Sequence, residues 1–151
     1  MKRLGFTLVE MALVLVISGM ILAIALPKLH PAWVNLNVRS ARISFDAVAT
    51  RARSAAVQRG CVSTLNLTTG SAGKVWATAC PVSGSGTVDT VGAIEPLGAR
   101  YGVSLSSTTT SFKYDPRGVK VGAGTVTVLF TATGGGKTDS AMINVLGKVV
   151  R

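Results

Sequence analysis

Acidic side chains are scarce in this sequence: six Asp and Glu stand against 16 Lys and Arg, a formal charge of +10 at neutral pH. No two carboxylates are placed as general acid and base chemistry would need them. Histidine occurs once, as His30, with neither a nucleophile nor a carboxylate beside it. That leaves out a Ser/His/Asp set and marks His30 as a membrane-interface residue. Two cysteines and this one histidine cannot make a Cys/His metal cluster, so neither metal nor cofactor is expected. Aromatics are few, with 4 Phe, 2 Trp and 2 Tyr, and no Lys/Arg stripe is interleaved with them. The basic excess favours anionic partners, whether nucleic acid, lipid head groups or an acidic neighbouring subunit, or it serves solubility alone. These absences exclude an enzyme reading.

What is present in quantity is one apolar run, Phe6 to Leu26, with Glu10 as its single charged residue. At ~1.5 Å per residue it makes a helix of roughly 32 Å, the thickness of a bilayer's hydrocarbon core. Lys2 and Arg3 precede it, so the N-terminus is expected to stay cytoplasmic and the rest of the chain to be exported. A secretory signal would have a shorter apolar core ending in small residues, whereas here the small residue, Gly5, stands in front. A charge near the start of an apolar span needs a partner. Cleavage after Gly5 would create one, the amine of Phe6, within the subunit or on its neighbour.

Gly5-Phe6-Thr7-Leu8-Val9-Glu10, after a short basic leader and before a long apolar helix, closely resembles the class III signal of type IV pilins and type II secretion pseudopilins. The resemblance implies cleavage between Gly5 and Phe6 by a prepilin peptidase, N-methylation of Phe6, and assembly guided by Glu10. It also implies the other partners: pilin or pseudopilin subunits, an inner-membrane assembly platform, and membrane lipid before assembly. The location implied is the bacterial inner membrane, single-pass with a periplasmic head, and then a pilus or pseudopilus.

Residues 1–5 are then the leader, 6–26 the transmembrane and assembly helix, 27–59 its amphipathic continuation, and 60–151 a β-rich head. Pro31 is expected to kink or loosen the helix, with a second stretch from Asn37 to Arg59. There Ile43, Ala47, Val48, Ala52, Ala55 and Ala56 are near-helically spaced apolar residues, and Arg39, Arg42, Asp46, Arg53 and Arg59 form a solvated face. Gly60 caps the helix. Strands are predicted near 61–67, 74–80, 102–106, 111–115, 126–132 and 141–146, with 149–151 as a final edge and Pro81 to Pro96 as a long surface loop. The fold class is α+β, pilin-like, with the long N-terminal α-helix packed on a mainly antiparallel β-sheet head.

Cys61 and Cys80 lie in the exported part, where thiols oxidise. Folding back at Thr69-Gly70-Ser71-Ala72-Gly73 brings them opposite each other, so a disulfide is expected over two free thiols. Gly134-Gly135-Gly136-Lys137-Thr138 has the end of a phosphate-binding loop but lacks its first glycine and its following helix, and reads as a hairpin loop. Asp115-Pro116-Arg117-Gly118 reads as a tight turn.

Ala52 to Gly60, Phe112 to Gly118 and Ile143 to Arg151 resemble the GspH/FimT branch of minor pilins and pseudopilins. In some members similar to this branch, a C-terminal Gly-Arg-x-Arg motif contacts DNA during natural transformation. Here the tail reads Gly147-Lys148-Val149-Val150-Arg151, with Lys in place of the first Arg and one residue more. Lysine keeps the charge and loses the planar fork. DNA contacts of the backbone type would fall to Lys148, Arg151, Lys137, Lys120 and Arg117.

Overall fold

The computed structural model describes residues 7–81 and 87–150, the side chains of Pro27 and Lys28 apart. Gly5, Phe6 and Arg151, which carry the expected cleavage, methylation and one DNA contact, lie outside the described residues. So does 82–86 of the expected loop.

Helix α1, Leu8–Arg59, begins where Thr7 places its Oγ1 3.2 Å from the backbone N–H of Glu10, which donates to it. A Thr followed three residues later by Glu is the spacing of a capping box, and this bond satisfies one of the four N–H groups a helix start leaves over. The helix ends at Gly60, whose φ of 62° is left-handed, with the Cys61 N–H returning to the Ala56 carbonyl at 3.2 Å. Pro27 and Pro31 lie within this continuous helix, each removing one backbone donor, so the stretch expected from Asn37 to Arg59 is part of α1.

Two compact units make up the chain, Met1–Val34 and Asn35–Arg151. In the first, Leu8–Leu26 is a span of 19 residues long and apolar enough to cross a membrane, with none of it buried. In the second, the remainder of α1 supplies one side of the core through Val38, Ala41, Phe45, Val48, Ala49 and Ala52, continued by Ala55 and Ala56. Ile43, 53% exposed, and Ala47 lie outside this stripe, which corrects the inward face read from spacing. At about 100° per residue they stand about 200° round the helix from Phe45, the residue that does point in.

The head has two antiparallel sheets. Strands β1 (Ser63–Leu67), β2 (Val75–Ala79), β3 (Asp89–Glu95), β5 (Ser111–Tyr114) and β6 (Lys120–Val121) form the first, in the order β3-β2-β1-β5-β6. Strands β4 (Val103–Ser107), β7 (Val126–Ala132), β8 (Thr138–Ile143) and β9 (Val149–Val150) form the second, in the order β4-β7-β8-β9. A short helix α2, Leu97–Tyr101, precedes β4. Alternate residues of β1, β2 and β7 are buried, as a sheet with one covered face requires. Phe45 of α1 meets Phe130 of β7 edge-on, ring centres 5.7 Å apart, and Ser63 of β1 donates its hydroxyl to the Ala52 carbonyl of α1 at 2.6 Å.

Four elements differ from the sequence expectation. β3 occupies much of the predicted loop, α2 and β6 were not expected, and β8 starts earlier than 141. Gly98 explains how α2 seats: a Cβ there would fall on the backbone of Ser71 and lie 2.7 Å from the Gly73 nitrogen, so only glycine permits the approach.

Cys61 and Cys80 are joined by a disulfide that closes the β1–β2 hairpin, with a sequence separation of 19. Cross-linking a loop of that size stabilises by about 3 kcal/mol through the unfolded chain. The double variant Cys61→Ser/Cys80→Ser is expected to lose about that much in urea unfolding. Unchanged stability would mean that the hairpin is held by its ladder alone.

Candidate functional site

Two features offer chemistry. The first is Glu10, third residue of α1 and the only acid in its first turn, a position the positive end of the helix dipole favours. Around it Val9, Met11, Leu13 and Val14 are exposed. Among the described residues, none of the ion pairs includes Glu10. A single carboxylate on an apolar surface can do one thing well, which is to select a cation at a fixed height on whatever packs against it.

The second is cationic. The tail turn before β9 is ordered by Asn144, whose Oδ1 accepts the Lys148 N–H at 2.9 Å. Gly147 in that turn has φ 74°, and a Cβ there would lie 2.8 Å from Tyr114 Cε1 and 3.0 Å from the Gly118 carbonyl oxygen. The tail turn therefore packs on the Asp115–Gly118 turn. A Cβ on Gly118 would in turn lie 3.0 Å from Nε of Arg53 on α1. The tail turn that carries Lys148, the turn that carries Arg117, and Arg53 of α1 are thus neighbours, contributed by three separate parts of the sequence.

Asp115 builds the turn between β5 and β6. Its Oδ1 accepts the N–H of Val119 at 2.8 Å and of Arg117 at 3.0 Å, and its Oδ2 meets Arg117 Nε at 3.0 Å. The Val119 backbone bond is the main cause that holds its carboxyl below the ordinary carboxylate value, with Arg117 adding to it against partial burial. Arg117 is 87% exposed despite the pair. Beside the turn, Tyr114 is fully buried, and burial pushes its phenol up to about 12, with Arg53 pulling the other way. Tyr114 is a neutral packing residue.

The five cations assigned to DNA from the sequence do not form one surface. Lys120 is only 7% exposed, and its Nζ donates to the Gly122 carbonyl at 3.1 Å. Its ammonium is spent inside the head, which corrects its place among surface contacts. Lys137 lies in the β7–β8 turn, beside Asn35, Arg39 and Asp139 around a pocket of about 230 Å³. Arg151 is outside the described residues, which leaves Arg117 and Lys148, both exposed, on adjacent turns. Arg53, on a helix face that the sequence reads simply as solvated, lies against the Asp115–Gly118 turn, and only the close approach at Gly118 reveals it.

A third polar group sits under α1. Arg42 Nε is 3.1 Å from Asp139 Oδ2, close enough for an ion pair but off line for a hydrogen bond. Burial, opposed by Arg42 and reinforced by Asp139, raises the Asp46 carboxyl above its ordinary value. Asp46 lines an open groove of about 590 Å³ with Arg51, Gln58 and Arg59. Among the described residues no group of His, Cys, Asp and Glu is arranged to hold a metal ion.

A 52-residue helix carrying an exposed apolar span, leading into an antiparallel head, is the architecture of a type IV pilin-like subunit. Residues 1–26 match the prokaryotic N-terminal methylation motif. A curated relative, the type IV narrow pilus major component PilA5 of Thermus thermophilus, is 42% identical over 55 residues, which is 36% of this chain and 44% of that protein. The chain therefore matches less than half the length of that relative. The crystal structure of the type IV minor pilin FimU of Pseudomonas aeruginosa superposes with a TM-score of 0.60 at 15% identity, covering 77% of this chain and 88% of that one; it speaks to the fold. The chain thus carries the N-terminal methylation motif, shares sequence with a type IV pilus component over 55 residues, and has a fold similar to that of a type IV minor pilin.

Proposed function

We propose that the chain is a minor pilin or pseudopilin of the GspH/FimT type. It is held in the inner membrane through Phe6 to Leu26 with its head in the periplasm, cleaved between Gly5 and Phe6 by a prepilin peptidase and N-methylated at Phe6. An inner-membrane platform then draws it into a filament, a type IV pilus or a type II secretion pseudopilus, among other subunits of its kind. The observation that carries this reading is the fully exposed apolar span Leu8–Leu26 with Glu10 near its start, inside a matched methylation motif. Lipid tails and neighbouring pilin helices are similarly apolar, so the span passes from one to the other with little loss of hydrophobic stabilisation. Immunoblotting of sheared filaments from the native cell is expected to find the chain beside more abundant subunits. Its confinement to the membrane fraction in filamented cells would overturn the reading.

A second reading, capture of DNA for uptake, is favoured by one arrangement, the turn of Lys148 packed on the turn of Arg117 with Arg53 of α1 against that same turn. Such contacts would be to phosphate, and binding would weaken steeply with salt. In a mobility-shift titration of the full chain in detergent, Arg117→Ala/Lys148→Ala is expected to weaken duplex binding and flatten its salt dependence. Lys120→Ala, a buried site, is expected to act only through stability. Affinity indifferent to salt and to the double substitution would remove this reading and leave the first untouched.

A further inference from the structure

Side chains alternate across a sheet, so the five-stranded sheet turns one face to α1 and the other away. Outward stand Thr64, Asn66, Trp76, Thr78, Ser111 and Lys113, while the residues between them in β1, β2 and β5 are buried. Lys74, just before β2 and two residues from Trp76, is exposed on the same side. Trp76, half-buried, is paired across the ladder with Asn66, and Asn66 with Ser111. The Asn66 amide donates to Thr78 Oγ1 at 3.2 Å, and the Thr78 hydroxyl donates to the Thr64 carbonyl at 3.3 Å, which fixes the polar groups beside the indole. None of these outward positions is an acid.

We propose that this face binds an acidic polysaccharide, a chain of sugar rings bearing carboxylates. An indole offers an apolar face on which a sugar ring can lie, while its neighbours here are amide and hydroxyl groups suited to ring hydroxyls. Lys74 and Lys113 supply point charges for carboxylates on either side of the ring. Lys113 faces Thr64, which faces Thr78, so the lysines are two strands apart and displaced by four residues. With strands ~4.8 Å apart and ~3.4 Å per residue, their Cα atoms are separated by about 17 Å, with Trp76 between, room for a short run of rings laid diagonally. Single-stranded nucleic acid also combines anions with rings, but it is held by successive aromatics. Trp76 is the one aromatic among these outward positions, and the hydroxyl-rich remainder favours sugar. The site does not include Arg53, Arg117 or Lys148, and it does not depend on which filament receives the chain.

The test uses the full chain in detergent with Trp33→Phe, which leaves Trp76 as the sole indole. It is titrated with a galacturonic acid oligomer, the same oligomer fully methyl-esterified, and a single-stranded oligodeoxynucleotide. Saturable change in Trp76 fluorescence with the acidic oligomer is expected. Esterification, or Lys74→Ala/Lys113→Ala, weakens it at least tenfold, and Arg117→Ala/Lys148→Ala leaves it unchanged. The lysines are exposed, so urea midpoints are expected to hold in the lysine variant. Absence of saturable binding, equal response to the ester, tighter binding of the oligonucleotide, or full affinity in the lysine variant each overturns the proposal.

Discussion

Glu10→Ala is expected to leave the chain inserted in the membrane and shortened by its leader, yet to lower its recovery in sheared filaments more than tenfold. The bond at the helix start uses the Glu10 backbone N–H, so alanine retains it, and removing a carboxylate makes insertion easier. On the proposed function, what disappears is the partner for the Phe6 amine of an adjacent subunit. Leaving one charge of a buried pair uncompensated costs about 3–5 kcal/mol, and 1.4 kcal/mol is roughly a factor of ten. Thr7→Val is the matched control: it removes the cap, worth about 1 kcal/mol, and keeps the charge. Recovery is expected to fall far less there. Equal losses in the two variants would mean that helix fraying, and not the acid, governs assembly.

Phe45→Ala is expected to destabilise the head by about 3–5 kcal/mol, a large share of the ~5–15 kcal/mol that folded domains have in total. The side chain is fully buried, spans from α1 to β7 and meets Phe130 at its edge, so its loss opens a cavity bounded by both elements. Ile43→Ala, two residues away and exposed, is expected to change the urea midpoint little. Similar effects from the two substitutions would place the packed face of α1 elsewhere. This pair bears on assembly, because α1 serves the head's core with one segment and the membrane or filament with another.

The segments most legible in the sequence are those where pattern and geometry coincide. An apolar run broken by one charge, Glu10, announces a membrane-length helix, and the alternation of Val126, Val128, Phe130 and Ala132 places β7 with its ends at 126 and 132. Failures have local causes. β3 is an edge strand with mostly exposed residues, so it shows no alternation, and its neighbourhood of Gly and Ser reads as loop. α2 is five residues long, too short for a helical period to register. Thr138, Asp139 and Ser140 look like turn residues, although the ladder with Leu129 to Thr131 makes them strand. Of the cationic surface, sequence supplies Arg117 and Lys148 but cannot reveal that Arg53 lies against the Asp115–Gly118 turn or that Lys120 is buried with its ammonium on the Gly122 carbonyl, since neither follows from residue type.

The most direct measurement of the whole account is the mass of the N-terminal peptide from filament-borne protein. On the proposed function that peptide begins at Phe6 and carries one methyl group on its amine, the cation proposed to pair with Glu10 along the filament. A filament-borne chain that still begins at Met1 would contradict it.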